Sequence, residues 1–369
     1  MSATPTRRPA IKRAIVVVGV VVLAAAVWSG FKVWSAWQNV DRVGFNTESA
    51  REALGAPRSD EQEQTVSDDP AATVTTAGTE SATTTTITIP PAFLDRGRLN
   101  VFLVMGLDYS TKRADVILLV MLPADSGDAV MVSIPRDLFV NNPCYNRNTK
   151  INENLWGCPS AGVSGQEQLA VAIEDFTGIP IDHFASFTFD GFEQIIDRVG
   201  GVEICVGDYP IRDLNEDFDN FQMPAGCSMA NGEQALAWVR SRRTQQLTES
   251  GWRTMPGVND LTRNERQQEM LLIALDTLKE VRSLPELQGL VEDVSDAFTI
   301  DEALGLGEAI ALLWEVRTIS SDDIYRASLD VRFSFSEADG AILLLKVPFQ
   351  DTVIAAYPRA FEFFDGWGD

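Results

Sequence analysis

An uncharged, apolar run close to the N-terminus constrains this chain more than any other feature of its sequence. The run extends from Ala14 to Phe31, is dominated by Val, Ala and Leu, and directly follows a basic segment at residues 1–13. A helix needs roughly 17–25 apolar residues to cross a bilayer, and basic residues mark its cytoplasmic end. We therefore predict a transmembrane helix at 14–31, a cytoplasmic tail before it and an extracytoplasmic chain after it, as in a single-pass type II protein of the cell membrane.

The competing interpretation of this run is a cleaved signal peptide, because the small residues Ala24–Ala26 offer a cleavage site. We favour an uncleaved signal-anchor, since the run is longer than an ordinary signal core and a segment rich in Trp and Phe follows it. Residues 32–92 are predicted to be a juxtamembrane segment, helical to about residue 46, followed by a disordered linker rich in Thr, Ser, Glu and Pro.

The charge balance is strongly acidic, with a formal net charge of −23. Nucleic-acid binding needs a basic surface, so we predict no nucleic-acid partner. Arginines that cluster against this background indicate either an anionic ligand or a salt-bridged surface, and composition alone leaves both open.

The four cysteines are even in number, which is typical of disulfides in an oxidising compartment. Zinc is the rival, but the chain has no CxxC motif and a single histidine, His183. We predict the pairs Cys144–Cys158 and Cys205–Cys227 from sequence proximity, one of three possible connectivities.

Short apolar runs alternate with helical patterns from about residue 93 to residue 360. The predicted strands are Val101–Met105, Val116–Leu122, Ala129–Ile134, Ser186–Phe189 and Val202–Val206, and the predicted helices are Gln166–Phe176, Phe192–Val199, 262–282, 285–298 and 301–316. This alternation indicates an α/β fold, with helices on both faces of a central sheet in an α-β-α sandwich. We predict that residues 93–360 form this domain and that 361–369 form a tail.

The long predicted helix 262–282 carries basic residues on or beside its apolar stripe. Arg263, Arg266 and Gln267 are spaced at i, i+3 and i+4 and therefore share a face. Arginine in such a position costs several kcal/mol or more unless it is paired. The partner is either an anionic ligand near the helix N-terminus or a local carboxylate, for which Asp260 and Glu265 are available.

A second pair of arginines, Arg240 and Arg242, is separated by one residue. On an extended strand both side chains point the same way, and two like charges there favour a bridging anion. Two guanidinium groups can hold a pyrophosphate through paired hydrogen bonds. The motif alone is weak, because such pairs are frequent on protein surfaces.

Two carboxylates are predicted at one edge of the sheet. Asp108 follows one strand and Asp115 precedes the next, so antiparallel pairing brings them to the same end, with Arg113 in the loop between them and Arg136 after the third strand. Mg²⁺ prefers oxygen ligands and shares them with substrate phosphates. The alternative for each aspartate is ordinary turn chemistry.

Nine segments together resemble the LytR-CpsA-Psr family. In chain order they are Asn100–Asp108, Arg113–Asp115, Ser133–Asp137, Lys150–Asn152, Gly178–His183, Phe189–Phe192, Gly200–Glu203, Ala235–Arg242 and Arg263–Gln268. The resemblance covers roughly residues 97–280 and continues more weakly to about 355. Each segment is weak on its own, and their fixed order carries the resemblance.

The resemblance implies a membrane-anchored phosphotransferase whose extracytoplasmic domain has a central mixed sheet and a hydrophobic groove for a polyprenyl chain. Such proteins move a teichoic acid, capsule or arabinogalactan-type polymer from a polyprenyl-pyrophosphate carrier to peptidoglycan, forming a phosphodiester link. The implied partners are the lipid-linked glycan, the peptidoglycan acceptor and the membrane.

The family's motifs also imply roles for individual residues. Pyrophosphate binding falls on Arg113, Arg136, Arg240, Arg242 and Arg263, with Gln267 beside them, and the helix spacing adds Arg266. Asp108 and Asp115 are expected to bind Mg²⁺ or Mn²⁺, and Asp115 or Asp137 is expected to help deprotonate the acceptor. The chain departs from the family pattern at Ser110, where Arg is common, at Thr262, where Gly is common, and at 244–260, which is longer than usual.

Two other functions use the same residues. A polyprenyl-pyrophosphate hydrolase would replace the acceptor sugar by water, and a non-catalytic lipid-binding or regulatory envelope protein would bind without turnover. The intact set of Asp and Arg residues favours an enzyme. The sequence leaves open which polymer is donated, which sugar accepts it, and how long the prenyl chain is.

Overall fold

The structure is a computed structural model, and it describes part of the chain. The described residues are 32, 34–35, 37–56, 99–108, 113–123, 127–198, 200–214, 221–258, 265–266, 268–270, 272, 289, 292 and 297–362. The predicted cytoplasmic tail, the predicted transmembrane helix, most of the linker, most of the predicted C-terminal tail and most of the predicted helix 262–282 lie outside these residues. Among the residues that are described, no helix has the length and apolar character needed to span a bilayer.

A seven-stranded mixed sheet forms the centre of the fold. Its strands, in spatial order, are β1 (Asp41–Val43), β14 (Phe298–Asp301), β7 (His183–Thr188), β2 (Leu99–Asp108), β3 (Arg113–Pro123), β4 (Ala129–Ser133) and β15 (Ile324–Ser328). β1 with β14, β2 with β7 and β4 with β15 are parallel pairs, and the other neighbours are antiparallel. The predicted α/β class and central mixed sheet are therefore confirmed.

Helices and small sheets surround this centre. The helices are α1 (Thr47–Leu54), α2 (Gly165–Thr177), α3 (Phe189–Arg198), α4 (Gly232–Arg240), α5 (Leu306–Thr318) and α6 (Phe349–Ala356), with short 3-10 helices at Ile151–Trp156, Ser321–Asp323 and Pro358–Glu362. The smaller sheets pair β5 (Phe139–Asn142) with β6 (Arg147–Lys150), β8 (Val202–Cys205) with β11 (Cys227–Ala230), and β16 (Val331–Ser336) with β17 (Gly340–Leu345). A four-stranded sheet has the order β10 (Gln222–Met223), β9 (Ile211–Arg212), β12 (Gln245–Thr248) and β13 (Gly251–Thr254).

The main hydrophobic core lies between the central sheet and the helices α2 and α6. Leu103 and Leu119 from the sheet pack with Ile173 of α2 and Phe349 of α6, and all four are completely buried. Burying a side chain of this size contributes about 1.5–3 kcal/mol. This layer makes one face of the central strands rigid, so their ends have a fixed position.

The opposite face of the sheet is also apolar. Val116, Leu118 and Met131 form a separate cluster there, against which Leu272 packs. Residues 273–288 lie outside the described part of the chain, so the predicted lipid groove stays a prediction.

The segment between residues 41 and 54 differs from its predicted role as juxtamembrane helix and linker. β1 pairs with β14 as the edge strand of the central sheet, and α1 packs on α2. Arg51 of α1 is buried and forms ion pairs with Asp175 and with Glu174, the latter at 3.0 Å. The folded domain therefore begins before residue 93, because strand pairing and a buried ion pair recruit a segment that has few apolar residues.

Both predicted disulfides are confirmed. Cys144 is bonded to Cys158, and Cys205 is bonded to Cys227. Cys205 and Cys227 are directly opposite in the β8–β11 ladder, so the bond joins two strands that are already paired.

Replacement of Arg51 by Met should lower the free energy of unfolding by about 3–5 kcal/mol, because two carboxylates would lose their buried cation. The matched control is Lys346→Met, which breaks an exposed pair with Asp330 at 2.8 Å and should change stability by less than about 1 kcal/mol. Urea unfolding of the full chain, followed by tryptophan fluorescence, measures both. Equal effects of the two substitutions would contradict the structural role given to α1.

His183 should make stability depend on pH. Its Nδ1 atom lies 3.1 Å from Oδ1 of the buried Asp301, and this hydrogen bond raises the pKa of His183, with further contributions from Glu308 and Asp182. A raised folded-state pKa adds stability that is complete below the unfolded value of about 6.5 and is lost as pH rises through the folded value. The stability difference between the native chain and His183→Gln should therefore shrink with rising pH in urea titrations. A difference that grows with pH would refute this assignment.

Candidate active site

A β-bulge places Asp115 at the edge of the central sheet. In the β2–β3 ladder Gly106 pairs with Val116 and Leu107 pairs with Ala114, so Asp115 is the extra residue. A side chain at Gly106 would lie 2.8 Å from Val116, so glycine is needed for the close approach of the strands. Bulges turn a side chain out of the regular ladder and are frequent beside active sites.

Asp108 reaches the same end of the sheet. It is the last residue of β2 and pairs with Arg113, the first residue of β3. This confirms the predicted antiparallel pairing that brings the Asp108 and Asp115 positions together. The side chain of Asp108 lies outside the described part of the structure.

Four side chains of alternating charge form a continuous group at this edge, which we call the charge chain. It consists of Asp115, Arg136, Asp137 and Lys150. Nη1 of Arg136 binds Oδ1 of Asp115, and Nε of Arg136 lies 3.6 Å from Oδ2 of Asp137. Nζ of Lys150 lies 3.2 Å from Oδ1 of Asp137. Each charge has an opposite neighbour, so the group is stable while partly buried.

The backbone beneath the charge chain is held by hydrogen bonds from the 3-10 helix Ile151–Trp156. The amide of Asn152 donates to the carbonyl of Arg136 at 3.3 Å, and that of Ile151 donates to Leu138 at 2.7 Å. The loop of Arg136 is thereby tied to the end of β6, which carries Lys150.

A buried cluster of amide side chains supports that 3-10 helix. Nε2 of Gln168, on α2, donates to Oδ1 of Asn142 at 3.0 Å and to Oδ1 of Asn154 at 3.1 Å. All three side chains are completely buried, where an unpaired polar group costs roughly 1–3 kcal/mol. These bonds connect the hydrophobic core to the loop below Lys150.

Arg113 has two neighbours that sequence reasoning missed. Its guanidinium carbon lies 5.9 Å from the ring centroid of Trp156, and its charge acts on Glu153. Burial raises the pKa of Glu153, as does Asp339, while Arg113 and nearby cations oppose the rise. The only signal in the sequence was position, since Glu153 and Trp156 follow the Lys150–Asn152 segment.

Arg240 and Arg242 lie at a helix end, which differs from the predicted strand. A capping box between Asn231 and Gln234 starts α4, and the helix runs to Arg240, with Ser241 as an extended C-cap. We predicted that the two side chains point the same way because they alternate along a strand. This reason does not apply, because the helix continues through Arg240. Arg242 lies beyond the cap and is exposed.

Arg240 nevertheless reaches the end of the sheet where the aspartates lie. Its guanidinium carbon is 4.3 Å from the ring centroid of Phe189. Phe189 directly follows Thr188, the last residue of β7, which pairs with Leu107, the residue before Asp108. The helix end and the strand ends thus converge on one edge.

Arg266 lies beneath the turn that carries Arg240 and Arg242. Its Nη1 atom donates to the carbonyls of Trp238 at 3.2 Å and Ser241 at 3.3 Å, and to Oγ1 of Thr244 at 3.3 Å. The guanidinium carbon also lies 3.7 Å from the centroid of the Trp238 ring. Burial lowers the pKa of Arg266 to about 10 against the opposing effect of nearby carboxylates. These contacts are those of a residue that shapes the turn, and its predicted contact with pyrophosphate stays a prediction.

The structure describes only some of the other residues in the predicted helix 262–282. Arg263 and Gln267 lie outside the described residues, so their predicted roles remain predictions. Gln268, which was not predicted, is buried and donates to the carbonyl of Ala327 at 3.1 Å. This bond joins the helix to the edge strand β15.

Carboxylates and guanidinium groups that meet at one end of a mixed sheet define an α/β domain suited to anionic, phosphate-containing ligands. The LytR_cpsA_psr family model matches residues 59–346. This chain therefore belongs to the LytR-CpsA-Psr family, as its nine sequence segments predicted.

Two curated relatives illustrate the similarity. The probable cell wall biosynthesis protein LcpB of Corynebacterium glutamicum is 30% identical over 208 residues, which are 53% of this chain and 42% of that protein. The polyisoprenyl-teichoic acid–peptidoglycan teichoic acid transferase TagV of Bacillus subtilis is 28% identical over 218 residues, which are 57% of this chain and 51% of that protein. The matches thus span about half the length of these relatives.

Solved structures share the fold. The crystal structure of TagV from Bacillus subtilis has a TM-score of 0.56 and 24% identity, covering 73% of this chain and 98% of that one. A structure of TagT bound to LI-WTA has a TM-score of 0.53 and 21% identity, covering 72% and 91%. At this identity the comparison establishes the fold alone.

Substitution of Arg266 by Lys should lower the free energy of unfolding by about 2–3 kcal/mol, because an ammonium cannot serve the three acceptors and the aromatic face together. It should also speed trypsin cleavage at the turn after α4. The matched control is Arg243→Lys, at an exposed position, which should stay within about 0.5 kcal/mol of the native chain. Unchanged stability and cleavage in Arg266→Lys would show that the buried contacts do not hold the turn.

Proposed function

We propose that this chain transfers a glycopolymer of the teichoic acid, capsule or arabinogalactan type from a polyprenyl-pyrophosphate carrier to peptidoglycan. The product is a phosphodiester between polymer and wall, and the reaction is a phosphoryl transfer. The single observation that carries the proposal is the charge chain at the sheet end, in a chain that belongs to the LytR-CpsA-Psr family. Relatives named as teichoic acid transferases support the direction of transfer.

The substrate phosphates are assigned to the arginines at this edge. Arg136, Arg113 and Arg240 come from three different elements and are held by backbone or ring contacts before any ligand arrives. Donors that are already in place need no reorganisation when negative charge develops on the phosphate oxygens. Arg242 and Arg263 complete the proposed pyrophosphate site, with Gln267 beside them.

Asp108 and Asp115 fit a divalent cation in the chemistry of their donors. Both supply hard carboxylate oxygens at adjoining strand ends, and Oδ2 of Asp115 has no hydrogen-bond donor among the described residues, since Arg136 engages Oδ1. Bound Mg²⁺ or Mn²⁺ would neutralise charge on the pyrophosphate.

The reaction follows from these placements. The acceptor hydroxyl attacks the phosphorus next to the glycopolymer, the bond from that phosphorus to the bridging oxygen breaks, and polyprenyl phosphate leaves. We assign the hydroxyl proton to Asp137, whose carboxylate lies 3.2 Å from Nζ of Lys150 and 3.6 Å from Nε of Arg136, both longer separations than the contact between Arg136 and Asp115. Arginines hold the leaving phosphate, so the reaction needs no covalent nucleophile.

The proposed location is the outer face of the cell membrane, with a single type II anchor at residues 14–31. Two disulfides among the described residues support an oxidising compartment. A lipid-linked donor and a wall acceptor meet at that surface.

The test uses the full chain in detergent with a polyprenyl-pyrophosphate-linked oligosaccharide, peptidoglycan fragments and Mg²⁺, with products followed by mass spectrometry. The native chain should form a phosphodiester-linked adduct. Arg240→Ala and Arg136→Ala should each lower its rate about 10²–10³-fold, the cost of losing one preorganised donor. Chelation of divalent cations should abolish the adduct, and Mg²⁺ or Mn²⁺ should restore it.

The control is Arg253→Ala, which removes an exposed arginine from β13 and should leave the rate unchanged. Release of lipid phosphate without an adduct would replace the transferase by a hydrolase. Lipid binding without turnover would indicate a non-catalytic envelope protein.

A further inference from the structure

The hairpin β16–β17 presents two aromatic side chains to solvent. Phe333 and Phe335 are 68% and 74% exposed, the highest values among the large apolar side chains described. They are two residues apart on one strand, so both project from the same face. Large apolar side chains exposed together on one surface are a signature of a binding site.

One end of the hairpin packs against the main core, and most of β16 is exposed or half-buried. Leu343, directly opposite Phe333, is buried in the main core, whereas Ala341, opposite Phe335, is exposed. β17 and the first residue of β16, Val331, therefore lie on the core, and the rest of β16 extends beyond it. The two phenyl rings overhang the edge of the domain instead of packing into it.

This overhang is fixed to the charge chain through the backbone. The amide of Leu343 donates to the carbonyl of Asp137 at 2.9 Å, and Leu343 also bridges to Leu138 in parallel. Phe333 is thus two strand spacings from Asp137, about 10 Å. One or two sugar rings span that distance.

The hairpin turn is attached to the same region. Nη1 of Arg147, on β6, lies 3.8 Å from Oδ1 of Asp339, and Oγ of Ser336 donates to Oδ2 of Asp339 at 2.8 Å. β6 ends at Lys150, so both the turn and the base of the hairpin connect to the charge chain. The aromatic face keeps a fixed distance from the reacting groups.

The charged residues around the two rings indicate which class of ligand can bind there. Glu337 is exposed at the tip and Asp339 is paired with Arg147, while the exposed Arg332 directly precedes Phe333, so two carboxylates are matched by two arginines. This balanced set lacks the excess of cations that attracts a polyphosphate chain or an anionic bilayer surface. It does not oppose a sugar ring, whose axial C–H face is apolar and packs flat on an aromatic ring.

We propose that Phe333 and Phe335 form a stacking platform for pyranose rings of the acceptor glycan, which orients an acceptor hydroxyl towards Asp137. The proposal rests on the proposed function and adds to it a binding site for the acceptor. Arginines at the sheet end hold the donor phosphates, and the platform holds the glycan strand from the neighbouring edge. No covalent step occurs at the platform.

The experiment measures glycan binding apart from turnover. The probe is a soluble oligosaccharide of alternating N-acetylglucosamine and N-acetylmuramic acid, titrated into the full chain in detergent by calorimetry. Replacing both residues by Leu keeps the apolar character but removes the flat faces, and should weaken binding about tenfold or more, the scale of losing a ring-stacking contact. Replacing both by Trp should retain binding. Leu247→Ala, at an exposed apolar site on β12, is the matched control and should change nothing.

The transfer assay provides the second readout. The Leu variant should raise the KM for the acceptor about tenfold and leave the KM for the lipid-linked donor unchanged, as expected for a contact made only to the acceptor. Native-like glycan affinity in the Leu variant would overturn the platform, and so would a loss of binding to anionic vesicles in place of glycan, or a change in oligomeric state. If the native chain forms no adduct but binds glycan through these rings, the proposed transfer fails and the platform stands.

Discussion

The ion pair between Arg136 and Asp115 is the interaction on which the edge of the sheet depends. A bulge turns Asp115 out of the β2–β3 ladder, and Arg136 reaches it from the end of β4. The ion pair therefore links the ends of three neighbouring strands. Removal of one partner from such a partly buried pair leaves the other uncompensated, which costs far more than the pair contributes. Asp137 and Lys150 extend the alternation. Arg136 and Lys150 can therefore lie together, because each one is held and oriented by a resident carboxylate.

Much of this edge could be predicted from sequence, because it depends on local pattern. Asp108 and Asp115 flank a short connection between two apolar runs, and antiparallel pairing of these runs brings both positions to the same end of the sheet. Arg240 and Arg242 show the limit of the same reasoning. Their alternation suggested a strand, whereas Asn231 and Gln234 form a capping box that starts a helix. The spacing Asn-x-x-Gln was readable in the sequence, and helical propensity in Ala235–Ala237 agrees with it.

Other features could not be predicted, because their partners are distant in the chain. β1 joins the central sheet through β14, and Arg51 finds its carboxylates on α2. A short polar segment has no periodicity that indicates such pairing. Arg266 is an instructive intermediate case. Its position on an apolar stripe correctly required a partner, and the structure supplies backbone carbonyls and Trp238, while the predicted anionic ligand stays a prediction. The cost of burying a charge predicts that it is compensated, and it does not predict which group compensates it.

The hydrogen bond from Leu343 to Asp137 joins the hairpin to the charge chain, the two surfaces to which we assign the acceptor and the donor of the proposed reaction. Asp137 contributes its carbonyl to the hairpin and its carboxylate to Lys150 and Arg136. A displacement of the hairpin therefore moves Asp137, whose side chain belongs to the charge chain. Precise positioning of two substrates lowers the entropic part of a barrier only when their binding surfaces do not drift relative to each other. Because one residue belongs to both surfaces, the backbone sets the distance between the hairpin, where we propose that the acceptor binds, and the sheet end, where we propose that the phosphates bind.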